Sequence, residues 1–279
     1  MFDACRAAGV NFFDTAHVYT GGAAERLLGR FAKPDRETLI IATKAGYTGG
    51  SGRQNILEQF DQSRTRMDLD MVDILYLHRW DPDTPLQETF ETLSAMQKDG
   101  KIRYIGVSNF AAWQVMKAQA VAQACGTRID ILQPMYSLVK RQAEVELFPM
   151  ALSEQIAVAS YSPLGSGLLT GKYQSGGTGR LSTDMRYAAR YGAPWMLDTA
   201  SAFAHMAAEF GTDAATLAVS WAMHHPAVTA PIISARNAAQ LLPSLKAQNL
   251  KLDAADYARI AALSPRPAPA TDRLEEALP

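Results

Sequence analysis

Short apolar runs alternate with longer segments of helical periodicity along nearly the whole chain. The runs are Val10–Phe13, Leu39–Ala42, Val72–Leu77, Tyr104–Val107, Ile129–Leu132, Ile156–Ala159 and Val228–Ile233. Near-continuous apolar runs of this length predict parallel strands covered on both faces. Helical patterns fall between them, at Ala24–Phe31, Ile56–Met67, Leu86–Lys98, Ala111–Ala124 and Ala143–Glu154, with two more between Ala200 and His224. The chain opens in a helical segment, Met1–Ala8, and Gly165–Gly192 reads as loop. Strand–helix alternation of this kind predicts an α/β fold with right-handed crossovers. Polar residues follow six of the runs: Asp14, Lys44, His78, Ser108–Asn109, Gln133 and Ser162. A barrel gathers all its strand C-terminal ends on one face, whereas a doubly wound sheet concentrates chemistry at one switch point. Six decorated strand ends favour a (β/α)8 TIM-type barrel. Only seven strands are found, so the barrel is expected to be incomplete, with the first strand missing at the front. No linker divides the chain, so residues 1–279 are expected to form one domain, with 264–279 as an extended Pro-rich tail.

The composition narrows the function classes. The chain has 279 residues, 48% hydrophobic and 20% charged, the profile of a globular protein. Lys+Arg at 27 against Asp+Glu at 28 leaves a net charge of −1, with no basic footprint for nucleic acid. The longest stretch free of charged residues, Ala214–Ala235, contains Pro226 and Pro231 and argues against a membrane span. Two cysteines, Cys5 and Cys125, are too few for a disulfide framework. A cytoplasmic location is expected, without nucleic-acid or membrane partners.

The glycine-rich segment Gly165-Ser166-Gly167-Leu168-Leu169-Thr170-Gly171 follows a strand, but its third glycine is one residue late for a dinucleotide fingerprint. Gly171-Lys172 fails as a phosphate loop, because Ser166 and Tyr173 occupy the positions of the first glycine and of the Ser or Thr. A loop over the barrel mouth is the expectation. His224 and His225 are adjacent and point apart, so no metal site is expected. Asp14, Tyr19, Lys44 and His78 are different, because their strands would bring them to one mouth. An ammonium stabilises a phenolate, a carboxylate keeps the ammonium charged, and a neutral imidazole aligns a carbonyl. Together they suit general acid catalysis.

These residues sit in motifs that resemble the aldo-keto reductase superfamily. The motifs are Gly9-Val10-Asn11-Phe12-Phe13-Asp14-Thr15-Ala16 with Tyr19, Ala42-Thr43-Lys44, Tyr76-Leu77-His78, Gly106-Val107-Ser108-Asn109-Phe110, Gln133-Pro134-Met135-Tyr136, Tyr161-Ser162-Pro163-Leu164 and Pro231-Ile232-Ile233. The resemblance implies NADPH-dependent reduction of a small carbonyl substrate, an aldehyde or ketone, with Asp14, Tyr19, Lys44 and His78 as the catalytic tetrad. It implies that Ser108, Asn109 and Gln133 bind the nicotinamide carboxamide and that Tyr161 stacks on its ring. It further implies Ser162, Leu164 and Gly167 at the pyrophosphate, and Ser234, Arg236 and Gln240 at the adenosine phosphate. Trp80 and Asp81, after His78, are expected to border the substrate pocket. Arg186, Tyr187, Tyr191 and Trp195 are expected to form its lid. Relatives begin with a hairpin and a first barrel strand, which this chain lacks, and Thr20, Ser166, Ser234, Pro243 and Ser244 depart from the common pattern. Two alternatives remain open: a non-catalytic NADPH-binding, redox-sensing subunit, and an inactive truncated fragment.

Overall fold

The computed structural model describes residues 1–174 and 176–277; the last two residues of the expected tail, 278–279, lie outside them. The chain forms two compact units, Phe2–Gln133 with Gln155–Ala157, and Pro134–Glu154 with Val158 onward.

In the first unit, helix α1 (Phe2–Ala7) leads into β1 (Phe12–Asp14), followed by α2 (Ala23–Ala32), β2 (Ile40–Ala45), α3 (Arg53–Met67), β3 (Val72–Leu77), α4 (Leu86–Lys98), β4 (Ile102–Ser108), α5 (Ala112–Ala124) and β5 (Ile131–Gln133). Each strand pairs in parallel with the next in chain order, with Asp14 opposite Ala42, Lys44 opposite Tyr76 and Ser108 opposite Gln133. β3 is buried along its whole length and β2 along all but its first residue, as their continuous apolar character predicts. Inside this apolar layer Asp73 binds Arg36 at 2.7 Å and accepts from the Ile41 backbone N–H at 2.8 Å, which ties β2 to β3.

The second unit contains α6 (Leu147–Ser153), all but the first residue of β6 (Ala157–Tyr161), α7 (Arg180–Thr183), α8 (Met185–Tyr191), α9 (Pro194–Glu209), α10 (Ala214–His224), β7 (Ala230–Ile232), α11 (Ala238–Lys246) and α12 (Ala254–Ala261). β6 and β7 are parallel. Seven parallel strands alternating with helices are thus found among the described residues, the alternation of a (β/α)8-type barrel one strand short. No helix among them is long and apolar enough to cross a membrane.

Several expectations change. The helix read as Ala143–Glu154 is a short 3-10 turn at Gln142–Glu144 and then α6. Pro149 explains the break: proline lacks an N–H and its ring clashes with the carbonyl four residues back, so it is tolerated only in a first turn. The segment 165–192, read as loop, holds a 3-10 turn (Gly165–Thr170) together with α7 and α8. Asp184 caps α8 by accepting from the Arg186 N–H, and Tyr191 at its end is fully buried. The helix expected from Ala200 begins earlier, at Pro194, which suits the first turn. α11 and α12, absent from the sequence reading, start at Asn237 and Asp253, whose side chains accept from Gln240 and Asp256 N–H groups. Residues 265–269 carry no regular structure, and a 3-10 turn spans Leu274–Ala277.

The crossing of α2 over α3 depends on Gly29. A Cβ there would lie 2.0 Å from the Met67 carbonyl oxygen. Alanine in a helix normally gains up to about 1 kcal/mol over glycine. At Gly29 the clash with backbone should reverse the sign: Gly29→Ala is expected to destabilise the protein by about 2 kcal/mol or more. Urea unfolding measures this, and a stabilised variant would contradict the packing described.

Candidate active site

The ends of β1, β2 and β3 carry the polar residues singled out in the sequence. Backbone hydrogen bonds continue past the strands, from Thr15 N–H to the Ala42 carbonyl, His17 N–H to the Lys44 carbonyl and His78 N–H to the Ala45 carbonyl. Lys44 has a fully buried side chain. Burying an ammonium is costly unless it is paired and hydrogen-bonded. Here it binds the Asp14 carboxylate and donates to the Thr15 carbonyl at 2.8 Å. Burial pushes the Lys44 pKa down, while the charge and hydrogen bond of Asp14 oppose that shift. The second Asp14 oxygen accepts from Gln133 Nε2 at 2.9 Å, so the carboxylate is held from two sides.

Tyr19 opens a 3-10 turn, Tyr19–Gly22, and is 40% exposed, which leaves it open to a ligand. Its ring centroid lies 5.2 Å from Lys44 Nζ and 5.8 Å from the His78 ring, at 81° to it. The buried His78 also packs on Tyr47, with ring centroids 4.9 Å apart, and the Arg79 guanidinium lies over Tyr47 at 5.0 Å. Burial, with the charges of Lys44 and Arg79, brings the His78 pKa from 6.5 down to about 4. The imidazole is therefore neutral near pH 7. The structure thus brings Asp14, Tyr19, Lys44 and His78 together: a phenol beside a buried ammonium, with a neutral imidazole edge at hand.

Ser108 and Asn109 follow from β4. Ser108 Oγ donates to the Gln133 carbonyl at 2.9 Å. Asn109 adopts a left-handed conformation, φ 59°, which asparagine tolerates better than most residues. Its Nδ2 donates to the His78 carbonyl at 2.9 Å and to Ser108 Oγ at 3.1 Å, tying the ends of β3 and β4. Ser108, Asn109 and Gln133 thus converge with the four residues above. Trp80 is half-buried against Phe110 and Trp113, with ring centroids 5.3 and 5.6 Å apart. Asp81 accepts from Asp83 N–H at 3.0 Å and Thr84 Oγ at 2.6 Å in its own loop and from Ser51 N–H at 2.7 Å in the loop after β2. Burial raises its pKa, but these hydrogen bonds outweigh that and hold it low.

In the second unit, Tyr161 ends β6, and burial pushes its pKa up to about 12, with Arg190 opposing and Tyr191 and Tyr187 adding. Ser162 has φ 63°, and beyond Leu164 the residues Gly165, Ser166 and Gly167 are all left-handed. A Cβ on Gly167 would come within 3.0 Å of the Lys172 ammonium end. The turn is closed by its own backbone, Gly165 N–H donating to the Ser162 carbonyl and Gly167 N–H to the Leu164 carbonyl, both at 2.9 Å. Ser234, Arg236 and Gln240 are exposed at the N-terminal end of α11, where the Arg236 N–H donates to Gln240 Oε1 at 3.3 Å. A guanidinium beside a helix N-terminus attracts a phosphate. Of the expected lid, Tyr187 lies against Arg180 and Arg190 at 5.3 and 5.5 Å, Arg186 pairs with Asp184, and Trp195 opens α9. Tyr191 is instead a core residue, its hydroxyl 3.4 Å from Met135 Sδ.

Sequence reasoning missed Tyr47, the Thr15 carbonyl, and Tyr76, whose ring lies 5.6 Å from Lys44 Nζ. It also missed Glu25 and Arg66, which pair at 2.9 Å behind the Tyr19 turn. Tyr47 follows β2 closely enough to have been found by the strand-end rule; Glu25 and Arg66 read as ordinary helix-surface charges.

A model of the Aldo/keto reductase family matches residues 1–265. A probable voltage-gated potassium channel subunit beta of Oryza sativa subsp. japonica is 33% identical over 270 residues, 88% of this chain and 80% of that protein. An uncharacterized oxidoreductase of Bacillus subtilis (strain 168) is 32% identical over 266 residues, 88% of this chain and 80% of that protein. The L-glyceraldehyde 3-phosphate reductase of Escherichia coli (strain K12) is 33% identical over 265 residues, 86% of this chain and 75% of that protein.

The environment of His78 has a pH signature. Its proton affinity is lower folded than unfolded, so its contribution to stability is present above about pH 6.5 and is lost as the pH falls toward 4. An NMR titration should place the His78 midpoint near 4. In Lys44→Met the midpoint should rise but stay below 6.5, because burial remains when one repelling charge is removed. An unchanged midpoint in that variant would exclude the Lys44 charge as a cause.

Proposed function

The chain belongs to the aldo/keto reductase family, and from that membership we propose that it reduces an aldehyde or ketone to an alcohol, with NADPH as hydride donor and Tyr19 as proton donor. The family is one of oxidoreductases that typically use NAD(P)H. The observation that carries the reading is the fully buried Lys44 ammonium, paired with the Asp14 carboxylate and set 5.2 Å from the Tyr19 ring. Bound NADPH supplies the hydride that adds to the carbonyl carbon. Tyr19 Oη gives its proton to the carbonyl oxygen, so that an alcohol and a tyrosinate result. The Lys44 ammonium favours that tyrosinate, and Asp14, held by Gln133, keeps Lys44 charged. Neutral His78 offers a ring N–H to the carbonyl oxygen and aligns it.

The residues present fit the cofactor. Ser108, Asn109 and Gln133 would hold the nicotinamide carboxamide, and Tyr161 its ring face. The left-handed backbone around Ser162, Leu164 and Gly167 suits the pyrophosphate, where a side chain on Gly167 would crowd Lys172. Ser234, Arg236 and Gln240 would take the adenosine phosphate. Trp80 would border the substrate. The relatives named as potassium-channel beta subunits support a second reading, a cofactor-binding subunit that does not turn over.

NADPH oxidation with 4-nitrobenzaldehyde tests turnover, and NADPH quenching of tryptophan fluorescence tests binding alone. Tyr19→Phe should abolish reduction while NADPH affinity stays within a fewfold, because only the transferable proton is lost. Substantial turnover in Tyr19→Phe rules out this donor, and binding without any turnover in the unaltered chain favours the subunit reading.

Arg236→Ala should weaken NADPH binding much more than NADH binding, because a charge-assisted bond to the extra phosphate is lost. Equal losses for both cofactors would show that Arg236 does not read that phosphate.

A further inference from the structure

The turn that carries Tyr19 has a costly backbone. Thr20, Gly21 and Gly22 all have left-handed backbones, with φ of 48°, 59° and 83°. A left-handed β-branched threonine is costly and persists only when its surroundings impose it. Local bonds help: Tyr19 N–H donates to the Ala16 carbonyl at 3.0 Å, and Ala24 N–H to Thr20 Oγ at 3.1 Å. Neither connects the turn to the strand that carries Lys44.

The chain just before the turn is tied to that strand directly, the His17 N–H donating to the Lys44 carbonyl at 3.1 Å, and a second time through a buried ion pair. Glu25, on α2, has no exposed side-chain surface. It accepts from Thr43 Oγ at 2.8 Å and from Arg66 Nη1 at 2.9 Å. The same Arg66 Nη1 donates to the His17 carbonyl at 3.0 Å, two residues before Tyr19. The guanidinium also occupies the space beside Gly22, where a Cβ would come within 2.6 Å of Arg66 Nε. Thr43 immediately precedes Lys44 on β2. One chain of contacts therefore links Lys44's own strand, through Glu25 and Arg66, to both ends of the turn that presents Tyr19.

We infer that Arg66, fixed by buried Glu25, is a positioning residue that sets Tyr19 against Lys44 and His78 for proton transfer. Its guanidinium is engaged by Glu25 and the His17 carbonyl. The inference rests on Tyr19 being the proton donor. Reaction rates fall steeply when reacting groups shift by about 1 Å, so the loss should appear in kcat and not in cofactor binding.

Three variants of the full chain, assayed with NADPH and 4-nitrobenzaldehyde, test this. Arg66→Met leaves Glu25 buried and unpaired, and should lower both Tm and kcat. The double variant Glu25→Gln/Arg66→Met removes the stranded charge but keeps an acceptor for Thr43. It should recover most of the Tm, bind NADPH within about threefold of the unaltered chain, and still show kcat reduced about 10- to 100-fold. A purely architectural role predicts instead that kcat recovers with Tm, and that result overturns the inference. So does a loss of NADPH affinity that parallels the loss of kcat. If Arg66→Met fails to fold, the double variant alone decides. Tyr19→Phe separates the two levels: turnover retained there rejects Tyr19 as donor, whereas an inactive Tyr19→Phe beside a fully active double variant rejects only the role of Arg66.

Discussion

A fully buried ammonium with one carboxylate beside it governs the arrangement of the first unit. Lys44 has no water to solvate it, so its ammonium needs the Asp14 carboxylate within hydrogen-bond distance. That requirement fixes the relation of β1 to β2, since Asp14 ends one strand and Lys44 lies near the end of the other. It also recruits Gln133 from β5, whose amide holds the second Asp14 oxygen. The positive charge then works outward, on the Tyr19 ring above it and on His78, whose protonation it opposes. One interaction thus sets a phenol ring and a neutral imidazole beside the same buried charge.

The surrounding structure protects this arrangement with ties that do no chemistry. Asn109 bonds the carbonyl of His78, and Ser108 bonds that of Gln133, so the ends of β3, β4 and β5 are locked together. Asp81 spends its carboxylate on Asp83 N–H and Thr84 Oγ in the loop that begins after His78 and on Ser51 N–H in the loop after β2, so it ties the two loops together. Behind Tyr19, Glu25 and Arg66 brace a turn whose backbone is left-handed at three successive residues. Polar groups inside a protein are strongly attracted to one another but costly when one partner is removed. Networks of this kind specify a single geometry, which is what proton transfer over hydrogen-bond distances demands.

The second unit has a different character. Its residues expected at the phosphates from family resemblance lie on curved or exposed backbone: Ser162 and Gly165 to Gly167 in left-handed conformations, Arg236 and Gln240 at the start of α11. The Gly165 and Gly167 N–H groups close their own turn, donating to the Ser162 and Leu164 carbonyls at 2.9 Å, while Arg236 and Gln240 are exposed.

The sequence by itself determined the α/β class, the number of strands and the polar residue at six of the strand ends. It could do so because a parallel strand buried on both faces is written as an unbroken apolar run, and a polar residue that closes such a run stands out against it. Asp14, Lys44 and His78 were legible for that reason, and Tyr19 through its motif spacing. The short helices α7 and α8 were not legible, since four and seven residues are too few to show a period and only the Asp184 cap announces one of them. Tertiary structure alone decided that Tyr191 belongs to a core and not to a lid, that Asp81 ties its own loop to the one after β2, and that Glu25 and Arg66 stand behind Tyr19. Each of those outcomes depends on which residues from distant segments meet, and a charge on an amphipathic helix reads the same in sequence whether it faces solvent or a buried partner.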